Sequence, residues 1–322
     1  MKKFLKILGV LALILGAAFL IFRTPDTDTA DMRAKYGAAP SQFVTLSNGQ
    51  EIHLRDEGPK GAPAIILLHG SNSSLHTWDK WSAALSQDYR VIRYDQIGHG
   101  LTGPAVDGDY SRDAYVSGVK AIADHLELET FVLAGNSMGG WVTAAFALEH
   151  PDRLAGMALL NASGAPRNKE EEKLYLGAVI ASIPVLNNVM TQITPRSLVE
   201  SSLEGAVADP AFITDVMVDR YWELLRYPGN RQAVVDRANT SRGGHFDPAE
   251  IATLAMPSLV IWGAEDKVTP TSGAKWYGEH LPNDSAIIYP KTAHLPMEEA
   301  PEKSAADFKK WLVNGPFKVE AP

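Results

Sequence analysis

The chain of 322 residues contains no cysteine. No disulfide can therefore form, and a lipid-modified N-terminal cysteine is excluded. Lack of cysteine suits an exported protein without requiring export. Basic clusters are also missing beyond the first few residues. Net charge is −8 with both signs interspersed, which argues against a nucleic-acid surface. There is no internal repeat and no low-complexity tract. Apolar residues, by contrast, are plentiful at 45%, enough for a packed core. The length fits one large domain or two small ones. Neither a metal nor a cofactor is expected.

The N-terminus differs from the rest. Lys2, Lys3 and Lys6 precede an uncharged run from Ile7 to Phe22, closed by Arg23. At about 1.5 Å per residue this run spans roughly 24 Å, somewhat short of a ~30 Å hydrocarbon core. Counting from Phe4, with Lys6 snorkelling, it reaches roughly 28 Å. The expectation is a membrane-spanning helix over 1–23 with a cytoplasmic N-terminus and everything after Arg23 exported. In a bacterial cell this means the inner membrane, with the remaining chain in the periplasm or exterior. The rival is a signal peptide cleaved at Gly16-Ala17-Ala18, giving a secreted protein. Residues 24–42 are polar, carry Pro25 and Pro40, and read as a tether.

From Phe43 the chain alternates strand and helix patterns. Phe43–Leu46 and Glu51–Arg55 flank the turn signal Ser47-Asn48-Gly49. Ala64–Leu68 is a continuous apolar run, as in a strand covered on both faces. Trp78–Leu85 and Ala114–Leu126 read as helices, Arg90–Tyr94 and Leu154–Leu160 as strands. Helical patterns alone follow, at Leu174–Ile180, Pro195–Leu203, Pro210–Leu225 and Arg231–Ala238. Alternation resumes with strands at Ser258–Trp262 and Ala286–Tyr289 and helices at Lys275–His280 and Pro301–Leu312. This is a βαβ-type sheet interrupted by a helical insertion.

Within it, Phe131–Leu133 is a short strand, Trp141–His150 a helix, and Gly135-Asn136-Ser137-Met138-Gly139-Gly140 the turn between them. A bare Gly-x-Ser-x-Gly is weak, but a strand-turn-helix context holds the serine hydroxyl at the tip of a sharp bend facing a substrate. Glycines flank the bend where side chains would collide with the neighbouring strand and helix. A serine so placed needs a base to take its proton and a carboxylate to orient the base. In a parallel sheet both belong at the C-terminal ends of strands. Of nine histidines, His53 falls inside a strand, His76, His125, His150 and His280 in or near helices, and His245 ends the insertion. His294 follows the Ala286–Tyr289 strand and precedes the last helix. Asp266 follows the Ser258–Trp262 strand, with Glu265 as the competing carboxylate; Asn161, also at a strand end, cannot serve as an acid. Two oxyanion donors are also needed. The candidates are the Met138 N–H and, in the loop His69-Gly70-Ser71-Asn72, the Ser71 N–H.

The landmarks His69-Gly70, Trp78, Asp95-x-x-Gly98-His99-Gly100, Gly135-x-Ser137-x-Gly139-Gly140, Trp262-Gly263-x-x-Asp266-x-x-Thr269-Pro270 and His294 make Phe43–Leu312 resemble the α/β-hydrolase superfamily, serine branch, with a helical cap. That resemblance implies a mostly parallel eight-stranded sheet flanked by helices. It assigns 43–163 and 247–322 to the core and 164–246 to the cap. It also implies that Ser137 attacks, His294 serves as base and then acid, and Asp266 orients His294. Two departures imply modest loop changes: Ile97 where relatives often carry Pro, and Ala293 where Gly often precedes the base.

The expected activity is hydrolysis of a small or lipid-like carboxylic ester through an acyl-enzyme. A serine rather than an aspartate nucleophile argues against dehalogenase or epoxide hydrolase chemistry. Ser71-Asn72-Ser73-Ser74 lacks the Gly-rich run typical of relatives that cleave carbon–carbon bonds. It also lacks the Gly-Gly-Gly loop of another esterase branch. Lactonase, C–C hydrolase or perhydrolase activity and a non-catalytic binding protein of this fold remain as alternatives. Val179, Ile183, Met190, Leu198, Phe212, Met217 and Trp222 are the insertion's candidates for lining the substrate pocket.

Overall fold

The computed structural model describes residues 2–167, 191–240 and 244–318. The expected helix Leu174–Ile180 and the pocket candidates Val179, Ile183 and Met190 lie outside the described residues.

Eight strands form one sheet: β1 (Gln42–Thr45), β2 (Glu51–Glu57), β3 (Ala64–Leu68), β4 (Arg90–Tyr94), β5 (Phe131–Asn136), β6 (Leu154–Leu160), β7 (Ser258–Gly263) and β8 (Asp284–Tyr289). Their order is β1-β2-β4-β3-β5-β6-β7-β8. β1–β2 and β2–β4 pair antiparallel, and every later pair is parallel. β3, β5 and β7 are buried along their whole lengths. Helices on both faces require this, and it explains why these strands read as unbroken apolar runs. Two apolar cores result, one on each face. One gathers Ile66, Leu133, Val142, Phe146 and Trp262; the other gathers Ile65, Val132, Trp78, Trp81 and Phe308.

N-terminal to the sheet are helices α1 (Lys2–Phe22) and α2 (Thr29–Tyr36). The core helices before the insertion are α3 (Asp79–Leu85), α4 (Arg112–His125) and α5 (Met138–Glu149), and the helices Ser272–His280 and Pro301–Asn314 follow it. The insertion between β6 and β7 carries α6 (Arg196–Glu204), α7 (Asp215–Leu225) and α8 (Asn230–Asn239). The expected helix Pro210–Leu225 is broken near its start: Thr214 caps α7, its hydroxyl accepting the Met217 N–H, so Pro210–Phe212 forms a separate turn.

Two N-terminal expectations change. Among the described residues no helix is long and apolar enough to cross a membrane. α1 does form over Lys2–Phe22, but its lysine-free part starts only at Ile7. Phe4, Ile7, Leu13, Ile14, Leu20 and Ile21 along it are all more than half exposed. The supposed tether, in turn, is docked. Thr24 N–H donates to Gln192 O at 2.8 Å and Thr27 N–H to Arg226 O at 2.9 Å. Asp26 pairs with the buried Arg231 at 2.6 Å, and Lys35 and Tyr36 of α2 both donate to Glu223. Asp28 caps α2, and Met32 buries against Leu101, Leu224 and Tyr227. Polar composition suggested a free chain, but Thr24, Asp26, Thr27, Lys35 and Tyr36 find partners on the cap 168 to 205 positions away.

Candidate active site

β5 ends at Asn136, α5 starts at Met138, and Ser137 between them has φ 54 and ψ −116. A positive φ is costly for a residue with a Cβ and must be enforced by its surroundings. Here Ser137 N–H donates to Leu160 O at 3.0 Å, and Ser137 O accepts Trp141 N–H at 3.1 Å and Ser163 N–H at 3.0 Å. The bend is tight enough that a Cβ on Gly135 would collide with the Gly139 backbone. One on Gly139 would collide with the Leu68 carbonyl. The glycines are thus required by close approach rather than by the turn's dihedrals.

Asp266 and His294 meet at the same sheet edge. His294 Nδ1 lies 2.8 Å from Asp266 Oδ2. That oxygen also accepts Thr269 Oγ1–H at 2.6 Å and Asn161 Nδ2–H. Asp266 Oδ1 accepts the N–H groups of Val268 (2.7 Å) and Thr269 (3.0 Å). Burial alone would raise the Asp266 carboxyl, but the His294 imidazole, its hydrogen bond, and those of Thr269 and Asn161 outweigh burial and hold it below its ordinary range. An ionised Asp266 fixes the tautomer with the proton on His294 Nδ1, leaving Nε2 as the basic nitrogen. Glu265, the competing carboxylate, is exposed.

The His294 loop is pinned through its backbone. His294 N–H donates to Ala206 O of the cap at 2.9 Å, and His294 O accepts Asn136 Nδ2–H at 3.0 Å. The Glu299 carboxylate accepts the N–H groups of Ala293 and Leu295 on either side, and that of Ala208 in the cap. Burial pushes the Glu299 carboxyl up, while those three N–H groups oppose it. Sequence reasoning passed over Asn136 and Glu299 and considered Asn161 only as an unsuitable acid. Asn161, at the end of β6 beside the acid, offered a positional signal; Glu299, inside a short helix, offered none.

Gly70 brings the loop after β3 against the nucleophile: a Cβ there would sit 3.0 Å from Asn136 Oδ1 and 3.1 Å from Ser137 Cβ. Met138 opens α5, so its N–H is among those without an intrahelical acceptor. Two cavities meet at Ser71. One, of about 370 Å³, is lined by Ser137 and His294 with Leu198, Val199, Leu203, Tyr221 and Leu225 of the cap. The other, of about 430 Å³, includes Met138 and is more polar, with Ser163, Arg167, His245 and Ser272 in its wall.

Of the described pocket candidates, only Leu198 lines the cavity at Ser137. Phe212 sits part-exposed in its own turn. Met217 packs inside the cap with Val199 and Leu203. Trp222 donates from its indole to Thr194 O at 2.7 Å and is covered by the Arg226 guanidinium. Amphipathic periodicity identifies a buried face without saying whether the cap's interior or the substrate lies against it.

A second Ser–His–Asp chain exists. Ser41 Oγ is 2.8 Å from His53 Nε2, and His53 Nδ1 is 2.7 Å from Asp95 Oδ2. None of the three residues lines either cavity. Ser41 also accepts from Arg55 at 2.9 Å, and Asp95 accepts the N–H groups of Leu75 and Leu101. This chain ties loops together.

The profile of the alpha/beta hydrolase family matches residues 65–307. The chain belongs to that family, as the motifs implied. It is 26% identical over 286 residues to a 2-hydroxy-6-oxononadienedioate/2-hydroxy-6-oxononatrienedioate hydrolase of Paraburkholderia xenovorans, covering 85% of this chain and 96% of that one. Among solved structures it is similar to a thermophilic esterase from Thermogutta terrifontis (TM-score 0.71, 23% identity, 86% and 99% covered). It is also similar to a structure described as a membrane phospholipase A, a bacterial virulence factor (TM-score 0.72, 24% identity, 99% and 100% covered). The chain is a hydrolase.

Proposed function

We propose that the chain is a serine hydrolase in which Ser137 Oγ attacks a carbonyl carbon, and that its substrate is a carboxylic ester. The observation that carries this reading is the Asp266–His294 pair beside a strained Ser137 on one cavity wall. His294 Nε2 takes the Ser137 proton, and the Met138 and Ser71 N–H groups receive the oxyanion. Collapse expels the alcohol, protonated by His294, and leaves an acyl-enzyme that water cleaves by the reverse proton path. An apolar cavity on one side of Ser71 and a more polar one on the other suit an amphiphilic ester. Ser137→Ala should lower kcat on an ester by about 10⁴-fold or more at unchanged fold. Undiminished turnover would overturn the assignment.

Carbon–carbon hydrolysis is the second reading, favoured by relatives of the 2-hydroxy-6-oxo type. Matched substrates separate the two: turnover of short and medium acyl esters without cleavage of a 2-hydroxy-6-oxo dienoate supports the ester, and the opposite pattern supports the C–C reading.

We further propose that α1 holds the catalytic domain at a bacterial inner membrane, its apolar side chains seated in the lipid of the exported face. Its exposed apolar side chains and the lysines at its start support this, as does the full-length fold match to a membrane phospholipase A. Secretion after cleavage at Ala18 is the alternative, and the intact mass of the mature protein distinguishes them.

A further inference from the structure

We propose that Arg237, on the cap, is a positioning residue for the oxyanion loop, fixing Asn72 and through it the Ser71 N–H. The inference rests on the serine-hydrolase reading above.

Asn72 has φ 59, in the left-handed region, which asparagine enters more readily than other residues with a Cβ. A turn bond from Ser73 N–H to Gly70 O spans it at 3.3 Å, and because it is exposed, packing does not fix its side chain. Arg237 does: Nη2 donates to Asn72 Oδ1 at 2.9 Å. The guanidinium is itself fixed. Arg237 is 4% exposed, and Nη1 donates to Gly98 O at 2.9 Å. Beside it, His99 Nδ1 lies at 3.3 Å. Burial, then the Arg237 charge, hold His99 well below its ordinary pKa, so the guanidinium faces a neutral imidazole.

The rest of the loop is held in the same manner. Gly70 O accepts from His69 Nδ1 at 2.8 Å, and His69 Nε2 accepts the Gln96 N–H at 3.0 Å. Ser73 Oγ donates to Tyr221 of α7 at 3.2 Å, whose hydroxyl donates to Glu298 at 2.8 Å. Core residues therefore fix the loop before Ser71, and cap side chains fix both residues after it. An oxyanion donor acts only if it is aimed before the charge develops, so the cap sets the aim of Ser71.

The test uses the full-length protein with Arg237→Met, Arg237→Lys and Asn72→Ala, on a neutral ester and a trifluoromethyl ketone that forms a tetrahedral adduct. Removing an oxyanion donor outright costs about 10²–10³ in kcat; misdirecting one should cost about tenfold. Arg237→Met should lower kcat about tenfold with KM within about twofold, and weaken the ketone by a similar factor. Arg237→Lys should recover part of both. Asn72→Ala, at an exposed site that leaves folding intact, should reproduce the loss and make Arg237→Met nearly silent in its background. A rise in KM at constant kcat, unchanged ketone affinity, or multiplicative losses in the double variant would overturn the proposal. Absence of ester turnover by the wild-type chain would instead remove the underlying reading.

Discussion

At Ser137 the backbone does the first part of the chemistry. Three hydrogen bonds and two obligatory close approaches hold a φ of 54, so the hydroxyl leaves the chain at an angle no regular helix or strand provides. Gly139→Ala should consequently abolish activity and cost several kcal/mol, read as a lowered urea midpoint; a silent Gly139→Ala would refute the close-packing argument. The other Ser–His–Asp chain shows that three residue types at hydrogen-bond distance are insufficient. Ser41 sits outside both cavities with its lone pairs engaged by Arg55. Its acid still matters for stability. Burial would raise Asp95, but His53, by charge and hydrogen bond, holds it at about 2. Because the folded value lies below the unfolded one, this stabilisation is fully present above about pH 4 and disappears as pH falls toward 2. It amounts to on the order of 2 kcal/mol. Asp95→Asn should be less stable than wild type at pH 7, and the gap should narrow on acidification from pH 5 to 2. A constant gap in urea midpoint would contradict the linkage.

At the scale of elements, strands and loops divide the work. β5, β6, β7 and β8 end on one edge, and the loops they deliver carry Ser137, Asn161, Asp266 and His294. Alternation of strand and helix, read from apolar runs and turn residues, was enough to place all four positions on that edge, because parallel strands share a direction. The bonds that pin the loops were less legible. Glu299 accepts N–H groups from residues 293, 295 and 208, and nothing in a one-dimensional pattern ties Ala208 to the last helices. Glu299→Ala leaves those three N–H groups without their acceptor. A loss of about 2–3 kcal/mol is expected, together with a lower kcat as the His294 loop relaxes. A change below about 0.5 kcal/mol in denaturant midpoint would show that the loop is held by other means. The cap was the least legible element. Its helices are amphipathic, but Met217 faces the cap's interior while Leu198, Tyr221 and Leu225 face the cavity. Helical period alone does not separate these two buried environments.

For the whole molecule, the N-terminal segment is the main revision to the sequence reading. Residues read as a tether are bonded to the cap, through Thr24, Asp26, Thr27, Lys35 and Tyr36. Those partners lie far along the chain, so local composition carried no trace of them. Under the proposed membrane role, this docking would transmit the orientation of α1 to the cap and so to the cavity mouth. A chain starting at Thr24 should keep its turnover of a soluble short-chain ester within about twofold. It should also fail to float with lipid vesicles that capture the full chain. Equal flotation of both forms would contradict a membrane role for α1.

The central claim is that Ser137 accepts an acyl group. Its most direct measurement is fluorophosphonate labelling of the folded wild-type chain, with the modified residue located by peptide mass mapping. A single adduct on Ser137, abolished by Ser137→Ala and retained in Ser41→Ala, is the predicted result. An adduct on another serine, or no adduct on folded protein, would contradict it.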